Sequence, residues 1–153
     1  MPNETNNDIA SRSLTISRLF NAPVELVWKV WTEPWHIKNW WGPNGFTNTI
    51  FKMDMKPGGE WDFIIHGPDG IDYKNKSMYR EVVKYEKLVY DHLSGPKFQS
   101  TVRFTKQGDK TLIGIKMVIE TPELREQTVK TFKADEGLKQ NMDKLEVYLS
   151  KVA

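Results

Sequence analysis

The side chains able to do chemistry in this sequence are few. There are three histidines, His36, His66 and His92, no cysteine, and carboxylates scattered along the whole length. Without cysteine there is no thiolate nucleophile, no disulfide and no thiolate-bound metal. A histidine metal site needs converging ligands, commonly a second imidazole one helical turn away. The intervals of 30 and 26 residues between these histidines follow no such spacing, so neither a metal nor a cofactor is expected. Glu60 and Asp62 stand two residues apart, as an acid–base pair would, but they alternate with Trp61 and Phe63, and aromatics that face inward on a strand turn these carboxylates to water. His92 shares strand parity with Leu88 and Tyr90. It reads either as a polar group inside an apolar pocket, orienting a ligand or moving a proton, or as a satisfied histidine at a strand end. No Gly-x-Ser-x-Gly elbow, phosphate loop or dinucleotide fingerprint occurs, and Pro57-Gly58-Gly59 and Gly67-Pro68-Asp69-Gly70 read as turns. Nothing in the sequence demands an enzyme.

What is abundant instead is aromatic and thioether surface. Six Trp, five Tyr and seven Phe make up 12% of the chain. By strand parity or helical face, Trp28, Trp31, Trp40, Trp41, Phe51, Met53, Met55, Trp61, Phe63, Tyr90, Phe104, Met117 and Met142 can all point between a sheet and a helix. Each either packs the core or walls a cavity for a small hydrophobic molecule, because Met adapts to irregular shapes and Trp and Tyr set a polar tip beside a flat face. Five of the six Trp fall between Trp28 and Trp41, where Trp40-Trp41 reads as a gate or a fixed plug at the cavity mouth.

With 153 residues, 39% hydrophobic and 27% charged, the chain is long enough to bury a core without staples. The 22 basic and 20 acidic residues leave a net charge of +2, interleaved throughout, which disfavours nucleic acid as a partner. Residues 1–12 are polar and read as a flexible tail before a single domain over 13–153. Apolar runs are far shorter than the ~20 residues that span a bilayer, so no membrane insertion is expected, and a cytoplasmic monomer or homodimer is.

Several elements must position these residues. Leu14 and Ile16 alternate with Thr15 and Ser17 in a strand ending near Phe20. Pro23, Glu25 and the i, i+3, i+4, i+7 set Val24, Val27, Trp28 and Trp31 mark a helix. Pro34 starts a second short helix with Ile37, Trp40 and Trp41 on one face, ended by Gly42-Pro43. Residues 46–119 alternate between strands and turns: 47–55, 60–66, 74–83, 88–92, 101–105 and 111–119, joined by loops too short for parallel crossovers. Thr121-Pro122-Glu123 starts a helical region in which Leu138, Met142, Leu145 and Leu149 draw one apolar stripe, with a break expected at Gly137.

The runs Ile16-Ser17-Arg18-Leu19-Phe20-Asn21-Ala22-Pro23-Val24-Glu25-Leu26-Val27-Trp28, Trp40-Trp41-Gly42-Pro43 and Met53-Asp54-Met55-Lys56-Pro57-Gly58-Gly59-Glu60-Trp61 together resemble the homologues of the activator of heat-shock protein 90 ATPase, over roughly residues 14–150. That family lies within the START-like, Bet v 1-like, polyketide-cyclase-related superfamily. The resemblance implies an α+β helix-grip fold: a curved seven-stranded antiparallel sheet, two short helices after the first strand, and a long C-terminal helix over a hydrophobic cavity. It also implies three functional classes: carriage of a hydrophobic ligand such as a lipid or polyketide, a chaperone or stress-response partner, and a cyclase- or hydrolase-type enzyme.

Overall fold

The computed structural model describes residues 6–94 and 97–152. A six-residue helix α1 (Asn6–Ser11) leads into β1 (Ser13–Phe20), then α2 (Val24–Thr32) and α3 (Pro34–Ile37). Six strands follow: β2 (Thr47–Met53), β3 (Glu60–His66), β4 (Asp72–Val83), β5 (Lys87–His92), β6 (Phe98–Gln107) and β7 (Lys110–Ile119). The chain closes with α4 (Pro122–Phe132) and α5 (Ala134–Val152). All strands join one curved antiparallel sheet in the order β1-β7-β6-β5-β4-β3-β2. β1 and β2 therefore form opposite edges, and the chain crosses between them through α2 and α3.

The alternation read from the sequence sets the register. One row of inward residues crosses the sheet as Trp61, Ser77, His92, Phe98 and Ile119; the next runs Tyr79, Tyr90, Ser100, Met117 and Leu14. Leu145 and Leu149 of α5 and Val27, Trp28 and Trp31 of α2 bury against this face. Trp31 meets Trp40 edge-on at 4.8 Å and Trp41 at 5.8 Å, and Trp41 meets Trp61 at 4.9 Å, so aromatic contact runs unbroken from α2 onto the sheet. The Pro57-Gly58-Gly59 turn is held by Gly58 N donating to Tyr79 O at 2.7 Å and Tyr79 N to Gly59 O at 2.9 Å. A Cβ on Gly59 would collide with the Asp54 carbonyl, which is why glycine stands there.

Residues 1–5 of the expected tail lie outside the described residues, and Asn6–Ser11 form a helix, with Ser13 Oγ donating to Ile9 O. Three expectations change. The second short helix ends at Ile37, Trp40 closes the turn beyond it, and Trp41 follows that turn. On β2, Thr47, Thr49 and Phe51 face outward, so Phe51 is 66% exposed instead of facing the helix, and the register shift between Ile50 and Lys52 turns Met53 inward beside Ile50. The break in the C-terminal helical region falls at Lys133, in the left-handed conformation (φ 51°, ψ 45°), and Gly137 continues α5 with its N–H on Lys133 O. Asp135 and Glu136 explain the position, because acids in a first turn favour a helix N-terminus there.

Glu60 and Asp62 face outward. Lys76 and then Lys52 hydrogen-bond Glu60, at 2.7 and 3.1 Å, and hold its pKa below the ordinary carboxylate value. This is an ion-pair ladder on the solvent face. Inside, burial pushes the Tyr79 phenol well up and the Tyr90 phenol to about 12.

Two outcomes follow for stability. Lys133→Gly removes the left-handed strain of a residue with a Cβ and is expected to stabilise the protein by about 0.5–1 kcal/mol, read as a rise in Tm of a few degrees. The folded state keeps protons on Tyr79 and Tyr90 that the unfolded chain releases near pH 10. Stability is therefore fully present below that pH and declines as pH rises toward about 12. Urea unfolding of wild type between pH 9 and 12 should show a steeper decline than the Tyr79→Phe/Tyr90→Phe double variant; equal slopes would refute the assignment.

Candidate functional site

The helices do not fill the inner face of the sheet. α2 lies against β6 and β7, α4 against β1 and β7, and α5 against β1. Over β3, β4 and β5 a cavity of about 450 Å³ remains, within the range of small-molecule sites. Trp61, Phe63 and Ile65 of β3, Tyr73, Asn75 and Ser77 of β4, and Tyr90 and His92 of β5 form its floor. Phe98 and Met117 continue that floor, Thr128, Ala134, Gly137, Leu138 and Asn141 form the roof, and residues 41–43 with Phe46 close one side. Its wall is mostly apolar.

Most polar groups in this wall are spent on one another. His92 is 8% exposed, lies flat on Phe98 with ring centres 4.6 Å apart, and bonds Asn75 Oδ1 through Nε2 at 2.7 Å. A carbonyl oxygen only accepts, so Nε2 carries the proton in this contact. Asn75 Nδ2 donates to Tyr73 O at 3.0 Å, and Thr128 Oγ1 to Leu124 O at 2.7 Å. Tyr90 is raised to about 12 by burial, opposed weakly by the Ser100 hydroxyl, which makes no well-formed hydrogen bond. It stays a neutral phenol at ordinary pH. Two lining atoms remain buried without a protein partner: Trp61 Nε1 and Ser77 Oγ.

A polar clasp fixes the side wall to α5. Asn141 accepts from Gly42 N at 3.2 Å and donates to Trp40 O at 3.0 Å, while Gln140 accepts from Asn44 N at 3.1 Å. Lys144 Nζ donates to the carbonyls of Gly42, Pro43 and Phe46 at 3.2–3.3 Å, and burial lowers its pKa. Farther along α5, Tyr148 OH pairs with His36 Nδ1 at 2.6 Å, anchoring α3 to the same helix. Gly137 stands in the roof within α5, where a Cβ would meet only Pro43 Cγ at 3.8 Å. An interior helical glycine costs about 0.5–1 kcal/mol against alanine, and here nothing steric requires it.

Of the residues singled out in the sequence, Trp41, Trp61, Phe63, Tyr90, His92 and Met117 line this cavity. Trp28, Trp31, Trp40, Phe104 and Met142 are buried in the core instead, and Met53 and Met55 pack partly buried against it. Trp40 is fully buried with Nε1 on Val30 O at 3.1 Å, so of the Trp40-Trp41 pair the first packs in the core and the second lines the cavity. Phe46 and the half-exposed Tyr73, 6.3 Å apart, stand at the solvent side. Sequence reading missed Asn75 and Ser77, although their strand position held a signal: they share parity with Tyr79, while Lys74, Lys76 and Arg80 occupy the other parity. The histidines do not converge. His66 bonds Thr49 Oγ1 and Asp72 Oδ1 at 2.8 and 2.7 Å on the exposed outer face, His36 lies at α3, and His92 alone reaches the cavity.

Comparison with solved structures gives the same architecture. A protein from Nitrosomonas europaea is 23% identical, with TM-score 0.85 over 93% of this chain and 96% of its own. One from Arthrobacter aurescens is 22% identical, with TM-score 0.86 over 94% of this chain and 89% of its own. One from Mycobacterium smegmatis is 20% identical, with TM-score 0.83 over 95% of this chain and 96% of its own. At these identities the likeness establishes the START-like helix-grip fold alone. No curated protein matches the chain. The family model described as activator of Hsp90 ATPase homolog 1-like protein matches residues 21–150, and the chain belongs to that family.

Proposed function

We propose that the protein binds a small, largely apolar molecule between its sheet and α5. The observation that carries this reading is the void of about 450 Å³ beneath a helix that bears glycine, without steric need, at the point facing it. A side chain at position 137 would add helix stability and fill the space; glycine leaves the space open. The flat faces of Trp41, Trp61 and Phe63 supply an apolar surface, and the clasp from Gln140, Asn141 and Lys144 holds it in place before a ligand arrives, which reduces the ordering cost of binding. Tyr90, a neutral donor with its pKa raised, suits holding a ligand better than abstracting a proton from one.

N-phenyl-1-naphthylamine, an uncharged reporter that brightens in apolar surroundings, is expected to bind the wild type with Kd of about micromolar order and to quench Trp emission as it does so. Gly137→Phe should keep the helical circular dichroism and weaken binding at least about tenfold. Gly137→Ala should raise stability by about 0.5–1 kcal/mol. Reporter binding no tighter than about 1 mM, or unaltered by Gly137→Phe, would overturn the reading.

A further inference from the structure

We infer that the cavity selects uncharged ligands carrying a hydrogen-bond acceptor, a carbonyl, ether or hydroxyl oxygen on a flat apolar skeleton, over carboxylates and other anions of equal size. This rests on the ligand-binding reading above and specifies the class of molecule. Among the described residues lining the cavity there is no Lys, Arg, Asp or Glu. A carboxylate enclosed there would lose its hydration with no cation to replace it, which is strongly unfavourable. Lys144 of α5 has its Nζ turned onto the carbonyls of Gly42, Pro43 and Phe46. His92 directs Nε2–H to Asn75 Oδ1 and lays its ring on Phe98. Fatty acids and other amphiphilic anions therefore find an apolar wall but no counter-charge.

The positive half of the selection comes from Trp61 Nε1 and Ser77 Oγ. Trp61 is 2% and Ser77 1% exposed, both line the cavity, and neither atom has a protein partner. An indole N–H can only donate, so it calls for an acceptor, and the serine hydroxyl can donate to the same group or accept from it. Trp61 and Ser77 are directly opposite one another in the β3–β4 register. Both therefore come from one place on the floor, beside the indole face of Trp41 at 4.9 Å and the ring of Phe63 at 4.6 Å from Trp61. One oxygen on an aromatic or alicyclic skeleton satisfies the buried donors and covers the flat wall together.

Three molecules of one skeleton separate these contributions: naphthalene, 2-naphthol and 2-naphthoate, titrated calorimetrically at pH 7 into wild type, Ser77→Ala and Trp61→Phe. Wild type is expected to bind 2-naphthol about three- to tenfold tighter than naphthalene and at least about tenfold tighter than 2-naphthoate. Ser77→Ala, which deletes one oxygen from the floor, should reduce the naphthol-to-naphthalene ratio about threefold. Trp61→Phe should reduce the same ratio. Naphthalene binding with no preference for the alcohol, or naphthoate binding as tightly as naphthol, overturns this inference and leaves the ligand-binding reading standing. Failure of all three to bind overturns both.

Discussion

A seven-stranded sheet is about 29 Å across at the usual strand spacing of about 4.8 Å, whereas one helix with its side chains covers about 10–12 Å of it. That mismatch organises this molecule. An apolar sheet face must be covered, and the long amphipathic helix α5 alone is too narrow to do so. The remaining width is divided between α2 and α4 on the β1, β7 and β6 side and the loop around Trp41 on the other. Above β3 to β5, α4 and α5 roof the sheet without filling the space beneath them, and that space is the cavity.

The same constraint accounts for the polar chemistry at the rim. The loop that closes the side wall has backbone N–H and C=O groups that a neighbouring strand would otherwise satisfy. Asn141, Gln140 and Lys144 satisfy them from α5 instead. Burying a lysine ammonium is unfavourable, as its lowered pKa reflects, and three carbonyl oxygens offset that. Inside, the opposite condition prevails: Trp61 Nε1 and Ser77 Oγ are buried and left open. Of the seven buried side-chain atoms without a partner among the described residues, these two belong to residues that line the cavity, at paired positions of neighbouring strands.

Much of the architecture was legible in the chain because period-two and period-3.6 patterns depend only on nearest neighbours. β1, the β3 parity with Trp61 and Phe63 inward, the β7 alternation and the α5 stripe from Leu138 to Leu149 all follow from it. Expectations changed where a local rule met a distant contact. Phe51 shares the parity of Thr47 and Thr49, which faces solvent, and the register shift against β3 turns Met53 alone of that set inward. Gly137 has the composition of a helix break, yet the charges of Asp135 and Glu136 place the break at Lys133. Asn75 and Ser77 look like a solvent face by polarity and are inward by their pairing with Phe63 and Trp61.

By itself the sequence determined the order of elements, the two faces of most strands, the apolar stripe of α5, and the absence of cysteine chemistry, since each depends on residue type and short-range spacing. Only the tertiary structure decided which aromatics pack and which line a wall. Trp28, Trp31, Trp40 and Trp41 share the same composition signal, but Trp41 reaches the cavity while the other three are enclosed by the sheet and by one another. The physical reason is that a void is defined by the elements around it: its boundary depends on where α2, α4, α5 and the 41–46 loop meet the sheet. No spacing along the chain encodes that meeting directly.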